Sequence, residues 1–382
     1  MKAWGFPGLF SVLLAAGITL GVVSCAKETA RQQPETGKSV SFRIDGETRA
    51  AVTELGDLRK IGVFGYSHTG NYATVAATAT PDYFFNQAVI DRPANGTWTY
   101  DGVVKYWPMD GRNVTFFAYA PYLELENTFA LYPAAKTDAG VPTIDYTVPA
   151  SIYNQIDLIW GQKTDMTYAT SNAGKVEFRM DHALTRIGFQ VKLGIGEAER
   201  PFIVEFTELS VINAVGSGTL DLGKGLADAS LWTLDYPADD TGLKAYTVTP
   251  GRGLNPLVLD ACATAPGPGE IDPFDHNDLL EADEYLMLLP QPLQHPGGGG
   301  LTQQQVEVKF TVTNTLLGTT ENRTETINLY RPATPAWNAG QGITYQLTLS
   351  VIDDIVIEFD IEGMLTPWDT VNGGDPVEGD VN

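Results

Sequence analysis

A chain of 382 residues is too long for one ordinary core, and at roughly 150 residues per domain it predicts two folded units with appendages. Its 47 acidic and 24 basic residues leave a formal charge of -23, which repels phosphate backbones and anionic headgroups and argues against a nucleic-acid partner. An apolar content of 43% supports packed cores, whereas 39 glycines and 23 prolines favour short, turn-punctuated elements over a helical bundle.

Only Lys2 is charged ahead of the apolar run from Trp4 to Val23, which is close to the length that spans a bilayer. A plain membrane anchor is one reading. The ending Val22-Val23-Ser24-Cys25-Ala26 favours another, because an aliphatic residue three places before Cys25 and a small one directly before it form a lipoprotein signal. This predicts removal of residues 1–24 and acylation of Cys25. The acyl chains then hold the protein on a membrane at ~0.8 kcal/mol per buried methylene, without a spanning helix. Cys262 is the only other cysteine, so acylation of Cys25 leaves no intrachain disulfide available. Residues 25–38 lack periodicity and read as a polar tether.

From Ser39 onward alternation dominates. Val40, Phe42 and Ile44 oppose Ser41, Arg43 and Asp45, and Ile61 and Val63 open a strand into Phe64-Gly65-Tyr66. Tyr83 to Ile90 reads as one helical turn. Val114, Phe116 and Ala118 alternate with Thr115, Phe117 and Tyr119, which predicts a central strand with two apolar faces. Ile187, Phe189, Val191 and Leu193 form a cleaner strand, Asp278 to Leu288 a short helix, and Val306, Val308, Phe310 and Val312 a further strand. Tyr345, Leu347, Leu349 and Val351 precede a final run of Ile355, Ile357, Phe359 and Ile361. The pattern is all-β with few short helices: two tandem antiparallel sandwiches at 39–184 and 185–368, followed by an acidic tail at 369–382.

Catalytic patterns are missing from this pattern of strands. None of the four histidines sits in a triad or metal arrangement, and His182 beside Asp181 reads as structural. Asp272, Asp275, Asn277 and Asp278 invite a calcium reading but lack the turn glycine and closing acid of an EF-hand. There is no phosphate loop, Gly-x-Ser-x-Gly elbow or paired-cysteine zinc motif. A glycosidase carboxylate pair has no distinguishing pattern in so acidic a chain, so no enzyme activity, cofactor or metal is expected. Trp98, Tyr100, Tyr106 and Trp107 could stack on sugars, but core packing is the better reading.

The stretches Thr48-Arg49-Ala50, Ile61 to Tyr66, Tyr83 to Gln87, Trp98 to Pro108, Val114 to Tyr122, His182 to Ile187, Tyr345 to Ser350 and Ile355 to Trp368 run nearly end to end. In that order, with the lipoprotein signal, the chain resembles the fimbrillin family, the pilus-building lipoproteins of certain anaerobic gut and oral bacteria. The resemblance implies transthyretin-like sandwich topology, an outer-membrane lipid anchor, and a place in a fimbrium on the cell surface. It also implies removal of the first strand by a trypsin-like protease and polymerisation by donor-strand exchange with other fimbrial subunits, in a homo- or heteropolymer. Adhesion would add a host or bacterial surface ligand as a partner. The acidic tail leaves stalk, tip and accessory positions open.

The residues can be set against this scheme. Losing the strand with Val40, Phe42 and Ile44 would open a groove with apolar pockets at period two and unpaired backbone groups. Ile355, Ile357, Phe359 and Ile361 have the matching alternation, and burying four such side chains is worth roughly 6 to 12 kcal/mol before ordering costs. The same segment also fits an ordinary last strand of its own domain. Gly46 to Ala51 places Arg49-Ala50 between two strands, where a basic side chain followed by small residues suits trypsin-like cleavage. Asp369-Thr370-Val371 resembles the O-glycosylation acceptor of these bacteria, with an unmodified Thr370 as the competing reading. A surface-anchored glycan- or ligand-binding lipoprotein that never polymerises is the alternative function. Cys25→Ala is expected to leave the precursor uncleaved and free of lipid label, which metabolic labelling and N-terminal sequencing check.

Overall fold

A computed structural model of the chain describes residues 38–44, 59–92, 97–122, 129–194, 200–249, 256–262, 271–280, 284–293, 301–352 and 356–366, with backbone alone at 97, 129, 351–352 and 356–366. Cys25, Arg49, Ala50, Ile355 and Thr370 lie outside these residues. Alternating patterns become strands almost throughout. In chain order they are β1 (Ser41–Ile44), β2 (Lys60–His68), β3 (Phe84–Arg92), β4 (Thr97–Tyr100), β5 (Asn113–Ala120), β6 (Phe129–Tyr132), β7 (Thr143–Thr147), β8 (Ile159–Met166), β9 (Lys175–Phe178) and β10 (Asp181–His182). There follow β11 (Thr185–Leu193), β12 (Phe202–Ala214), β13 (Ser217–Asp221), β14 (Trp232–Leu234), β15 (Lys244–Val248), β16 (Leu257–Asp260) and β17 (Asn277–Asp278). The last are β18 (Leu286–Leu288), β19 (Gln291–Pro292), β20 (Gln305–Asn314), β21 (Thr319–Asn328), β22 (Ala336–Trp337), β23 (Gly342–Ile352) and β24 (Val356–Thr366). Among the described residues the helical pieces are α1 (Tyr72–Val75) and short 3-10 turns at Ile152–Asn154 and Asp240–Gly242.

Eight strands form one sheet in the order β10-β8-β5-β2-β3-β4-β1-β9. Its middle is apolar on both faces, as the alternation at Val114 predicts. Ile61, Val63, Val114, Phe116 and Ala118 enter one buried cluster with β1, while Phe64, Tyr66, Phe117 and Tyr119 enter a second on the other face. The second cluster continues through Ile187, Phe189, Val204, Phe206, Val308, Phe310, Tyr345 and Leu347. These come from two further sheets, β17-β11-β23-β24 with β18 on β11, and β15-β12-β20-β21 with β16 on β12. A fourth sheet, β14-β13-β7-β6, joins strands from both sides of residue 185. Most pairs are antiparallel, but β1 with β9 and β11 with β23 run parallel. Parallel neighbours cannot be joined by a tight hairpin, and each of these pairs is correspondingly remote in sequence.

Two of the predicted helical segments are strands. Tyr83 to Ile90 falls mostly in β3, which pairs with β2 and β4 and takes up a register shift opposite Val63 and Gly65. Asp278 to Leu288 holds the end of β17 and all of β18, both paired with β11. Leu286 and Leu288 are buried with Met287 between them half-buried, so period-two packing on β11 overrides helical propensity.

Glycine has a packing role in β2. A Cβ on Gly62 would sit 2.2 Å from the Tyr119 ring, whose hydroxyl donates to Asn86 Oδ1 at 2.7 Å. Gly62→Ala is therefore expected to cost about 1–3 kcal/mol through overpacking, measured as a lowered urea midpoint with an unchanged slope.

Candidate functional site

The candidate site is β1 together with the walls that hold it. Alternation puts Val40, Phe42 and Ile44 on one face, and their exposures of 3%, 4% and 8% show all three buried. Phe42 carries the aromatic packing. Its ring lies 5.4 Å from Phe84, 5.8 Å from Phe116 and 5.9 Å from Tyr100 in edge-to-face arrangements, and it stacks on Phe178 at 6.0 Å. Such pairs add to burial because the positive ring edge meets a negative face. On the outer side Arg43 approaches Glu177 at 3.8 Å, an exposed contact of little energetic weight.

The strand that carries Val40, Phe42 and Ile44 lies one place inside the edge of its sheet. It runs parallel to β9 from Ser41↔Lys175 to Ile44↔Phe178, and antiparallel to β4 at Phe42↔Trp98. β9 is the edge, and it covers the strand because Val176 and Phe178 share the same buried cluster. Removing β1 would expose backbone groups on two walls rather than one.

A clamp closes the start of β1. Val40 N–H donates to the Lys105 carbonyl at 2.8 Å and Trp107 N–H to the Lys38 carbonyl at 2.9 Å. The Tyr100 hydroxyl donates to the Val40 carbonyl at 3.1 Å and accepts from Lys105 N–H at the same distance. Burial pushes the Tyr100 phenol above its ordinary value while the Lys105 N–H acts the other way, so the hydroxyl keeps the proton it donates at neutral pH. Trp107 Nε1 donates to the Gly174 carbonyl at 3.1 Å, and Gly174 N-terminal to β9 has φ +90 with a Cβ position 2.8 Å from the Ser39 carbonyl oxygen. Glycine is required there for both reasons.

Three of the four aromatics at 98–107 serve the core, as the packing reading expects, while Tyr106 is exposed. Trp107 is 2% exposed, and Trp98 and Tyr100 pack against the buried cluster. The clamp itself carries no sequence signal, since backbone bonds from Lys105 and Trp107 depend on a loop meeting a strand more than sixty residues away.

At the other end of the chain, β24 pairs with β23 over its whole length, from Ile352↔Val356 to Gly342↔Thr366, and forms the edge of its sheet. Ile357, Phe359 and Ile361 occupy alternate positions along it. β24 and β1 belong to different sheets of the one chain. His182 is 3% exposed with Nδ1 2.8 Å from Asp157 Oδ1, a buried structural pair. The Asp272 and Asp275 carboxylates cap their own turn at Phe274 and His276 N–H, and Asp278 accepts from Gln190.

A multi-sheet β protein whose first strand is inserted between two remote strands is the class that fold and site define. The fimbrillin-like family model matches residues 48–368, and the chain belongs to that family. It is 28% identical over 193 residues to fimbrium subunit Fim1C of Phocaeicola vulgatus, covering 46% of this chain and 49% of that protein. The match thus spans about half the length of this curated relative. A solved fimbrial protein from Bacteroides vulgatus ATCC 8482 shares the fold, with a TM-score of 0.63 at 18% identity over 87% of this chain and 99% of that one.

Phe42→Ala is expected to destabilise the uncleaved chain by about 3–5 kcal/mol through cavity formation, while Arg43→Ala changes stability by no more than about 1 kcal/mol. Equilibrium urea unfolding of both variants checks the contrast.

Proposed function

We propose that this protein is a structural fimbrial subunit, exported as an outer-membrane lipoprotein acylated at Cys25 and carried onto the cell surface in a fimbrium. The observation that carries the reading is β1, a short N-terminal strand that fills a core but pairs only with strands remote from it. While the chain is intact, its linkage to β2 keeps β1 at high effective concentration beside its groove. Hydrolysis between Arg49 and Ala50 by a trypsin-like protease makes it a separate peptide, which a strand from another subunit can replace. The family match begins at residue 48, so β1 lies outside the region it covers. In this reading the chain forms two sandwiches, 39–184 and 185–368, a division that suits a subunit receiving a strand in one part and offering one from the other; the β14-β13-β7-β6 sheet draws strands from both ranges.

The donor in this reading is the segment from Ile355 to Ile361. Ile357-Glu358-Phe359-Asp360-Ile361 repeats the aliphatic, aromatic, aliphatic spacing of Val40-Ser41-Phe42-Arg43-Ile44, so Phe359 would take the place of Phe42. As an edge strand β24 can leave without splitting its sheet. A second reading, in which β24 stays in its own sheet and the donor is another subunit type, is favoured by its full-length register with β23. Assembly partners are other fimbrial subunits in either case, and adhesion is the role of the assembled fibre.

Arg49→Ala is expected to reach the surface with its lipid and remain monomeric, while wild type gives SDS-resistant ladders on unheated gels. Equal polymerisation of the variant would show that cleavage at this bond is not the trigger.

A further inference from the structure

Away from the strand groove, three chain segments, 226–236, 290–292 and 336–341, converge on an open cleft of about 640 Å³. That volume lies within the ~300–1,000 Å³ range of small-molecule sites. Its aromatic surface comes from Trp232, half-buried in β14, and Tyr236, 46% exposed. Two of the lining tryptophans are held by hydrogen bonds. Trp232 Nε1 donates to the Ala183 carbonyl at 2.8 Å, and Trp337, a buried lining residue, donates from Nε1 to the Tyr345 hydroxyl at 3.0 Å.

The polar lining decides the ligand class. Asn338 Nδ2 donates to Gln341 Oε1 at 2.9 Å, which leaves Asn338 Oδ1 as an acceptor and Gln341 Nε2 as a donor with no partner among the described residues. Either amide orientation leaves one donor and one acceptor. Asp228 accepts from the Ser230 N–H and hydroxyl, contacts that hold its carboxyl below the usual carboxylate range and keep it ionised at neutral pH. Lys224 Nζ lies 3.8 Å from Asp228 Oδ2, but no Lys, Arg or His is among the described lining residues and the chain carries a charge of -23, so an anionic ligand is disfavoured. A purely apolar ligand would strip water from the amides and carboxylate without replacing their hydrogen bonds. A neutral saccharide meets both conditions: its C–H faces stack on aromatic rings, and its hydroxyls donate and accept.

The geometry points to a neutral-saccharide site in this cleft, with Tyr236 and Trp232 as the stacking surface and Asp228, Asn338 and Gln341 as hydrogen-bonding partners. It goes beyond a structural role in the fibre and is independent of strand exchange, because every one of these residues lies outside the eight-stranded sheet and the site is present in a single chain.

The test uses the full exported chain, purified in detergent as the uncleaved monomer. An array of neutral, sialylated and sulfated oligosaccharides selects binders, which are then titrated while tryptophan fluorescence is followed. Saturable binding confined to neutral sugars is expected, weakened about tenfold or more in Tyr236→Ala and Gln341→Ala. Unchanged melting temperatures would show that both variants fold. Tyr106→Ala, an exposed aromatic elsewhere in the chain, is expected to bind as wild type does. Binding to no neutral sugar, preference for anionic ones, or wild-type affinity in Tyr236→Ala would each overturn the site. Because the chain is monomeric throughout, none of these outcomes bears on polymerisation, and a chain that fails to polymerise could still bind sugar.

Discussion

The insertion of Phe42 among Phe84, Tyr100, Phe116 and Phe178 links one edge of the N-terminal sheet to its middle. The four partners lie on or beside β3, β4, β5 and β9, so one ring holds strands that are not mutual neighbours. None of these contacts is local in sequence. β1 pairs with β4 and β9 and not with β2, the next strand along the chain, from which it is separated by two strands in the sheet. Connectivity and packing are thereby uncoupled: the pairings of the β8-β5-β2-β3-β4 ladder do not involve β1, while the cluster on one face of that ladder includes β1's side chains. A strand in a hairpin with β2 could not be exchanged so simply, since its loss would also remove the ladder partner of its neighbour.

The other face of the same sheet is held by a separate core, which bears on the proposed replacement of β1. β2 and β5 contribute alternate residues to both buried clusters, and the second cluster is shared with β11, β12, β20 and β23. A sheet anchored on one face by an extensive core can tolerate a vacancy on the other, because the cost falls on a single cluster. Gly62 and Gly65 belong to this arrangement. Each leaves room for a ring, from Tyr119 and Phe84 respectively, at points where a two-faced strand would otherwise be overfilled.

Much of this was legible in the sequence wherever the signal was local. The alternations at Val40, Ile187, Val306 and Tyr345 each mark a strand, and the two apolar phases at Val114 identify a central one. What escaped was non-local. Period two does not state which strand is the neighbour or which way it runs, so the parallel pairing with β9 and the place of β1 inside the edge were hidden. β18 was hidden for a different reason: three residues are too few for a period, and their apolar content is as compatible with a helix until β11 supplies an edge. The aromatics differ again. The dense group near Trp107 is consumed by the core, while Trp232, Tyr236 and Trp337 meet in a cleft only because β14 and β22 are brought together by folding.

For a replacement strand, the two walls of the groove impose separate demands. A strand running as β1 does would meet β9 in parallel and β4 in antiparallel fashion, and a reversed strand would exchange the two patterns, which space their hydrogen bonds differently. The side-chain sequence from Ile357 to Ile361 reads the same in either sense, so its apolar face does not choose the direction. Its outer face does not choose either. In β1's direction Glu358 would replace Ser41 opposite Lys175 and Asp360 would replace Arg43 opposite Glu177, giving one favourable and one unfavourable contact; reversal exchanges the two acids. Position 43 is exposed and position 41 half-buried on the outer face, and contacts at such solvent-reached positions are worth little. Direction would therefore be set by the backbone ladders and by the clamp at Tyr100 and Lys105, which offers a hydroxyl to the carbonyl and a carbonyl to the N–H of whatever residue stands at position 40. Those two groups belong to one residue and point to the same strand edge in either polarity, but reversal exchanges their order along the strand, so an incoming strand presents N–H to Lys105 and carbonyl to Tyr100 in the order set here when it keeps β1's own polarity.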